Sequence, residues 1–301
     1  MARAVAASAP LAVEQSVAGN GHAADAPALP PSAVVIGDSV RPAEIVVEMV
    51  KTAAAKAALS VKDMALRGLL AGALLGFATS LAQTVVLQGA PPFVGAIIFP
   101  VGFVLLVLAG LELATGNFAV LPMGVADRRV SFGKLVRNWF WVYAGNLAGC
   151  LLYAAMLYAV TTKFGGDGGP LGKQISTIAL AKTHGFAELG FLKGWGTTVT
   201  KGILANWMVT VGVVMAFVSK STIGRVVAMW LPITIFFALG FEHSIVNMYT
   251  IPAGMLFGAP ISLGDWWLWN QIPVTLGNIV GGAVFTGLAL YATYRPARGA
   301  V

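Results

Sequence analysis

Six long apolar segments dominate the sequence, at about residues 65–88, 93–126, 136–161, 195–219, 226–257 and 269–293. Each reaches or exceeds the roughly 20 residues that an α-helix needs to cross the hydrocarbon of a bilayer. Only 10% of the 301 residues are charged, whereas an ordinary soluble domain carries about 25%. The sequence therefore predicts an all-α integral membrane protein with six transmembrane helices. It excludes a soluble enzyme, and the single Cys150 excludes an internal disulfide.

The positive charges lie mostly on one side of these segments. If the N-terminus is cytoplasmic, that side holds fourteen Lys and Arg residues: 3, 41, 51, 56, 62, 67, 128, 129, 134, 137, 220, 225, 295 and 298. The other side holds four, at 163, 173, 182 and 193, with Lys201 entering the fourth span. Cytoplasmic loops are enriched in Lys and Arg, so we expect a multi-pass protein of the plasma (inner) membrane with both termini cytoplasmic. The net charge of +7 then reflects topology, and no nucleic-acid partner is predicted.

Four regions follow from composition. Residues 1–41 are rich in Ala, Pro, Gly and Ser and predict a flexible cytoplasmic tail. Residues 42–59 predict an amphipathic helix on the cytoplasmic face, where a neighbouring subunit is one surface that could cover its apolar stripe. Residues 60–294 are expected to form the six-helix transmembrane domain, and residues 295–301 a cytoplasmic C-terminal tail.

An internal repeat relates the two halves of the chain. Three sets of residues recur in the same order: Arg67-Gly68 and Lys201-Gly202, Gly110-Leu-Glu112 and Gly240-Phe-Glu242, and Asn138, Gly145, Asn146, Gly149 and Asn270, Gly277, Asn278, Gly281. Each copy contains three spans, so the second copy must insert upside down relative to the first. Such inverted three-helix repeats are typical of transporters and channels, whose permeation site lies where the halves meet.

The second and fifth spans are interrupted at equivalent positions. Polar residues and glycine follow Glu112 in one span and surround Glu242 in the other. Irregular backbone at membrane depth is tolerated where it is buried in protein or lines a watery cavity, and intramembrane carboxylates are candidates for function. We expect the two glutamates to be structural, capping backbone N–H groups at the breaks, with direct proton relay as the alternative.

The motifs at these breaks resemble the formate/nitrite transporter family, and within it they are most similar to the formate channels. They are Gly110-Leu-Glu-Leu-Ala-Thr-Gly116, Asn138-Trp139, Gly145-Asn146, Gly202-Ile-Leu-Ala-Asn-Trp-Met-Val209, Gly240-Phe-Glu-His-Ser-Ile-Val-Asn-Met-Tyr249 and Ile272-Pro-Val-Thr-Leu-Gly-Asn278. The resemblance covers about residues 42–293. It implies an aquaporin-like fold, a homopentamer with one pore in each subunit, and passage of small weak-acid anions such as formate, nitrite, acetate, lactate and hydrosulfide.

The resemblance also assigns residues to the pore. Thr115 and His243 match the family's central threonine and histidine, and Lys182 is the candidate for its vestibule lysine. Asn206 and Asn278 match asparagines that face the pore. The two apolar constrictions would be formed by Phe103, Leu113 and Ala114, and by Phe99, Val209 and Phe236. Ala114 stands where the family usually has phenylalanine, and Phe103 where formate channels have leucine.

A pore with apolar walls and one histidine suits a weak acid that crosses uncharged. Moving a bare carboxylate into a low-dielectric site costs up to tens of kcal/mol by an idealised estimate. Protonating a carboxylate with a pKa near 4 at neutral pH costs roughly 4 kcal/mol. The neutral acid is therefore the form that passes. We expect Lys182 to attract anions, Thr115 to hydrogen-bond the substrate, and His243 to donate or relay a proton.

Two other functions fit the sequence less well. An aquaporin-like channel for neutral solutes would need paired Asn-Pro-Ala loops and an arginine filter, which the sequence lacks. An intramembrane enzyme using His243 and Glu242 would need a second catalytic histidine, a nucleophile elbow or a metal-ligand cluster. We therefore predict a channel rather than an enzyme, with no cofactor and no metal. Its expected partners are small anions, protons and lipid.

Overall fold

A computed structural model describes residues 37–294, and the described chain is helical throughout. The helices are α1 Pro42–Ala58, α2 Val61–Leu87, α3 Pro92–Ile98, α4 Pro100–Leu108, α5 Ala114–Ala126, α6 Phe132–Thr161, α7 Gly169–Ala187, α8 Phe191–Met215, α9 Thr222–Ala238, α10 Ser244–Leu256, α11 Leu263–Trp266, α12 Ile272–Gly282 and α13 Ala289–Thr293. Two π-helical segments, Trp267–Gln271 and Ala283–Leu288, join the last three into one helix. Most of the predicted N-terminal tail and the whole C-terminal tail lie outside the described residues.

Four described helices are long and apolar enough to cross a membrane without interruption, namely α2, α6, α8 and the α11–α13 helix. The predicted second and fifth spans are divided, as the sequence indicated: α3, α4 and α5 form one, and α9 and α10 form the other. The protein is therefore a multi-pass membrane protein with two broken helices.

The two breaks have nearly the same backbone. Gly110 follows α4 with a φ of +67°, and Gly240 follows α9 with a φ of +62°. Glycine adopts this left-handed conformation without steric penalty and commonly ends helices. Leu113 and His243 then precede the next helices, with φ and ψ of −117° and 119°, and −118° and 119°. The sequence repeat is therefore also a repeat of the fold.

Helix α1 packs on its own chain. Its apolar stripe, Ile45, Val46, Met49, Val50, Ala53 and Ala57, is buried in one cluster with residues of α5 such as Val120 and Leu121. The expectation that a neighbouring subunit could cover this stripe is therefore not what the structure shows, because α5 already covers it.

Helix α7 lies between the third and fourth spans, where the sequence predicts only a connection. It precedes α8 as α1 precedes α2, and it packs on α10 as α1 packs on α5. The repeat unit therefore begins one helix earlier than the sequence motifs indicated. We call the two ends of the molecule the α1 side and the α7 side.

Close helix contacts join α2 to α6 and α8 to the α11–α13 helix. A Cβ atom on Gly149 would collide with the carbonyl oxygen of Leu69, and one on Gly281 would collide with that of Ile203. Small residues allow this approach of helices in membranes. The two halves are therefore built on matching pairs of tightly packed helices.

Candidate pore between two broken helices

Glu112 is the centre of a buried polar network at the first break. Only 3% of it is exposed, and Lys56 Nζ of α1 donates to its Oε1 at 2.7 Å. Asn117 Nδ2 donates to Glu112 Oε2 and to Asn138 Oδ1, both at 2.8 Å. Asn138 Nδ2 in turn donates to the Lys56 carbonyl at 3.0 Å. The network neutralises a buried carboxylate, which would otherwise be costly in this setting.

The second break repeats this network around Glu242, which is also 3% exposed. Lys182 Nζ of α7 donates to both carboxylate oxygens, at 2.8 and 2.9 Å. Asn247 Nδ2 donates to Glu242 Oε2 at 2.7 Å and to Asn270 Oδ1 at 2.8 Å. Asn270 Nδ2 donates to the Lys182 carbonyl at 2.9 Å. Each break therefore has its own lysine as counter-ion.

Asparagines, not the glutamates, satisfy the backbone at the breaks. Asn146 Oδ1 accepts from the Ala114 N–H at 2.9 Å, and its Nδ2 donates to the carbonyls of Gly68 and Glu112. Asn278 does the same in the second half, accepting from the Ser244 N–H at 2.8 Å. The expectations that the glutamates cap these N–H groups and that Asn278 faces the pore are therefore corrected, because the asparagine amide fits both the donor and the acceptors.

His243 and Thr115 bring the two halves into contact. His243 Nε2 lies 2.9 Å from Thr115 Oγ1, and both side chains are buried. His243 Nδ1 accepts the N–H of Val246 at 3.2 Å. Since Nδ1 must offer a lone pair to that N–H, these bonds assign the ring proton to Nε2, which donates to Thr115. The predicted pair is therefore assembled, with a neutral histidine at the start of α10.

Two cavities approach this pair from opposite ends. The α1-side cavity has a volume of about 310 Å³, and Phe103, Leu113 and Glu112 are among its lining residues. The α7-side cavity has a volume of about 440 Å³, and Phe236, His243 and Lys182 are among its lining residues. His243 therefore lies at the wall of one cavity, with Thr115 behind it.

The six apolar candidates for the two constrictions are all buried. All six candidates are at most 4% exposed: Phe99, Phe103, Leu113, Ala114, Val209 and Phe236. Phe103 and Leu113 line the α1-side cavity, while Phe236 lines the α7-side cavity. Phe99 packs edge-on against Phe236, with ring centroids 5.6 Å apart. These six side chains therefore offer no polar group to an ion.

The two remaining candidates, Lys182 and Asn206, are both held by hydrogen bonds. Lys182 lines the α7-side cavity, but its charge is paired with Glu242. Asn206 Nδ2 donates to the carbonyls of Thr115 and Asn278, while its Oδ1 is buried with no hydrogen-bond partner among the described residues. Asn206 therefore holds the backbone beside the central pair.

Comparison with known proteins agrees with this architecture. A sequence model of the formate/nitrite transporter family matches residues 43–292. The chain belongs to the formate/nitrite transporter family. This is a family of transporters, so the intramembrane enzyme is no longer an alternative. This result confirms the family that the sequence motifs indicated.

Individual relatives extend the comparison. A probable formate transporter of Methanothermobacter thermautotrophicus is 36% identical over 75% of this chain and 86% of its own length. The formate channel FocA of Escherichia coli K12 is 33% identical over 68% of this chain and 75% of its own length. Among solved structures, an FNT family ion channel has a TM-score of 0.72, 27% identity, and coverage of 83% of this chain and 98% of that one. A pentameric formate channel with formate bound has a TM-score of 0.63, 29% identity, and coverage of 78% and 98%.

Some residues of the site were missed from the sequence. The sequence assigned neither Lys56 nor Arg67 to the pore, yet both line the α1-side cavity. Asn117 and Asn247 join the carboxylate networks. Both asparagines follow their glutamates by five residues, a spacing that the repeat comparison could have found.

Proposed function

We propose that this protein is a channel for formate and related short weak-acid anions, which cross its centre as the neutral acid. The observation that carries the proposal is the bond between His243 and Thr115 at the end of a cavity whose inner wall is apolar. A carboxylate would lose its hydration there, at a cost of several kcal/mol or more. Protonation costs roughly 4 kcal/mol at neutral pH and is therefore the easier route.

The chemistry follows from the direction of the hydrogen bonds. With Nε2–H donating to Thr115 Oγ1, the threonine hydroxyl is free to donate its own proton to a substrate oxygen. As the anion enters the apolar region it becomes more basic and takes up a proton from water in the cavity, while Thr115, oriented by His243, hydrogen-bonds its carboxyl group. The neutral acid then passes the constriction and ionises again in the opposite cavity.

We further propose that the protein is a homopentamer, since one of the similar solved structures is a pentameric formate channel. The excess of Lys and Arg on the α1 side supports an inner-membrane protein with both termini cytoplasmic. Residues 42–59 would then form a cytoplasmic helix, and residues 60–294 the channel domain.

Formate flux into liposomes, recorded together with proton uptake across about pH 5 to 8, tests this function. Thr115→Val removes the hydroxyl while preserving the side-chain shape, and Thr115→Ser keeps the hydroxyl. We expect protons to accompany formate, Thr115→Val to reduce both fluxes, and Thr115→Ser to retain them. Formate flux without proton uptake, or a Val variant as active as the wild type, would contradict the mechanism.

A further inference from the structure

Two glutamine side chains of the α7-side cavity make no hydrogen bond to any residue in the described part of the chain. Gln83 of α2 is 7% exposed, and its Oε1 is buried with no partner. Gln174 of α7 also has a buried Oε1 with no partner. A buried amide without partners costs about 1–3 kcal/mol relative to one that is hydrogen-bonded. Both side chains line the cavity that leads to His243.

Most other polar side chains of this cavity already have partners. Asn247 Nδ2 donates to Glu242 and Asn270, while its Oδ1 is buried with no partner among the described residues. The two nitrogens of His243 bind Val246 and Thr115. Lys182 Nζ is held by both oxygens of Glu242. The hydroxyls of Thr79 and Thr250 donate to carbonyls of their own helices. Among the side chains that line the cavity, the two glutamines are therefore the ones that have both a donor and an acceptor left for a bound molecule.

The position of Gln174 places such a bond ahead of the central pair. Gln174, Ile178 and Lys182 recur every four residues and all line the cavity, so they follow one face of α7. Eight residues of helix span about 12 Å, which separates Gln174 from the ion pair beside His243. A molecule can thus contact Gln174 without displacing Lys182 from Glu242.

We propose that Gln83 and Gln174 form a docking subsite for the carboxyl group of a short carboxylic acid; this inference rests on the proposed transport function. An amide offers both an N–H donor and a carbonyl acceptor. A carboxylate can use the donors only, whereas the neutral acid matches both with its C=O and O–H. The subsite therefore holds the substrate in either form and favours the acid that continues toward His243. Hydrosulfide has no carbonyl oxygen to match and gains little from these amides.

The test measures liposome flux of the full chain with formate, acetate and hydrosulfide over a range of concentrations. The variants are Gln83→Leu, Gln174→Leu and the double variant. Gln88→Leu is the matched control, since Gln88 is exposed at the end of the same helix as Gln83. One lost hydrogen bond corresponds to a factor of about 2 to 12 in binding. We therefore expect the half-saturating formate and acetate concentrations to rise by that factor in each single variant, with unchanged maximal rates and an unchanged hydrosulfide response.

Two results would overturn the subsite while leaving the proposed function in place. One is a double variant with wild-type half-saturation for formate and acetate. The other is an equal shift for hydrosulfide, which would indicate a general change in the cavity. If a leucine variant does not assemble, Gln83→Met and Gln174→Met keep an unbranched side chain and replace it in the same measurement. A wild-type chain that carries no formate would overturn the proposed function, and the subsite with it.

Discussion

The two broken helices share their framework and differ in their chemistry. Each break has a left-handed glycine, a buried glutamate paired with a lysine, and an asparagine that caps the next helix. At the position of Leu113 in the first break, however, the second break has His243, and at that of Thr115 it has Ile245. Each half thus supplies one member of the central pair. The repeated residues hold the backbone in place, and the residues that break the repeat form the contact between His243 and Thr115.

The two ion pairs also explain why neither break adds net charge to the pore. Lys56 and Lys182 are 21% and 20% exposed, while their glutamates are 3% exposed. A free buried carboxylate would repel an entering anion, whereas a paired one does not. The comparison therefore predicts that the two lysines contribute equally to the stability of the fold. It also predicts that His243 matters for formate flux in a way that Leu113 does not.

The largest expected effect comes from removing either lysine. Lys56→Met and Lys182→Met each leave a buried carboxylate without its counter-ion, which costs about 3–5 kcal/mol of folding free energy. Thermal unfolding of the purified protein in detergent measures the loss. Lys51→Met and Lys173→Met, at exposed positions on the same two helices, serve as controls. If only one of the two ion-pair variants lost stability, the framework would not be symmetric.

A smaller effect is expected from His243, which stands where the first break has Leu113. His243→Leu gives the second break the residue of the first and removes the bond to Thr115. We expect formate flux in liposomes to fall about 100-fold, the effect of losing one preorganised hydrogen-bond donor from a site of this kind. His184→Leu, at a partly exposed histidine of α7, should leave the flux unchanged. Wild-type flux in His243→Leu would mean that the asymmetry has no role in transport.

The smallest expected effect concerns hydrogen bonds between Asp38 and the loop after α8, which have no counterpart described in the other half. Asp38 accepts hydrogen bonds from the Ser219 hydroxyl and from the N–H groups of Lys220 and Ser221 after α8. These bonds, that of Ser219 above all, lower the pKa of Asp38 from its ordinary 3.8. The ionised Asp38 carboxylate therefore stabilises the folded protein fully above its ordinary pKa. This stabilisation is lost as the pH falls through the lowered pKa.

Asp38→Asn should therefore speed hydrogen exchange of the Lys220 and Ser221 amides at neutral pH without changing exchange in the loop after α2. Glu44→Gln, an exposed substitution at the start of α1, provides the control. Unchanged exchange in Asp38→Asn would show that the carboxylate does not hold the loop in solution.

The sequence predicted the breaks and the central pair, but it did not predict the polar networks around them. Glycine and glutamate at matching positions in two apolar segments were enough to locate the breaks. The lysine partners were not evident, because Lys56 and Glu112 are 56 residues apart and lie on different helices. A contact between residues on different helices leaves no periodic pattern within either segment of the sequence.

Helix α7 was missed for a related reason. It carries Lys173, Lys182 and His184 and is less apolar than the spanning helices, so hydropathy alone assigned it to a connection. Its stability comes from packing on α10, a tertiary contact that outweighs composition. The position of α1 before α2 was the signal that could have indicated an equivalent helix before α8.

The glycine contacts at Gly149 and Gly281 have a consequence for how permeation proceeds. Helices that touch backbone to backbone have no intervening side chains that could repack. The pair α2 and α6, and the pair α8 and the α11–α13 helix, therefore resist sliding or tilting. A substrate would then cross a stationary scaffold in which only single rings, such as those of Phe103 and Phe236, swing aside. Turnover of this kind requires no alternating rearrangement of the two halves.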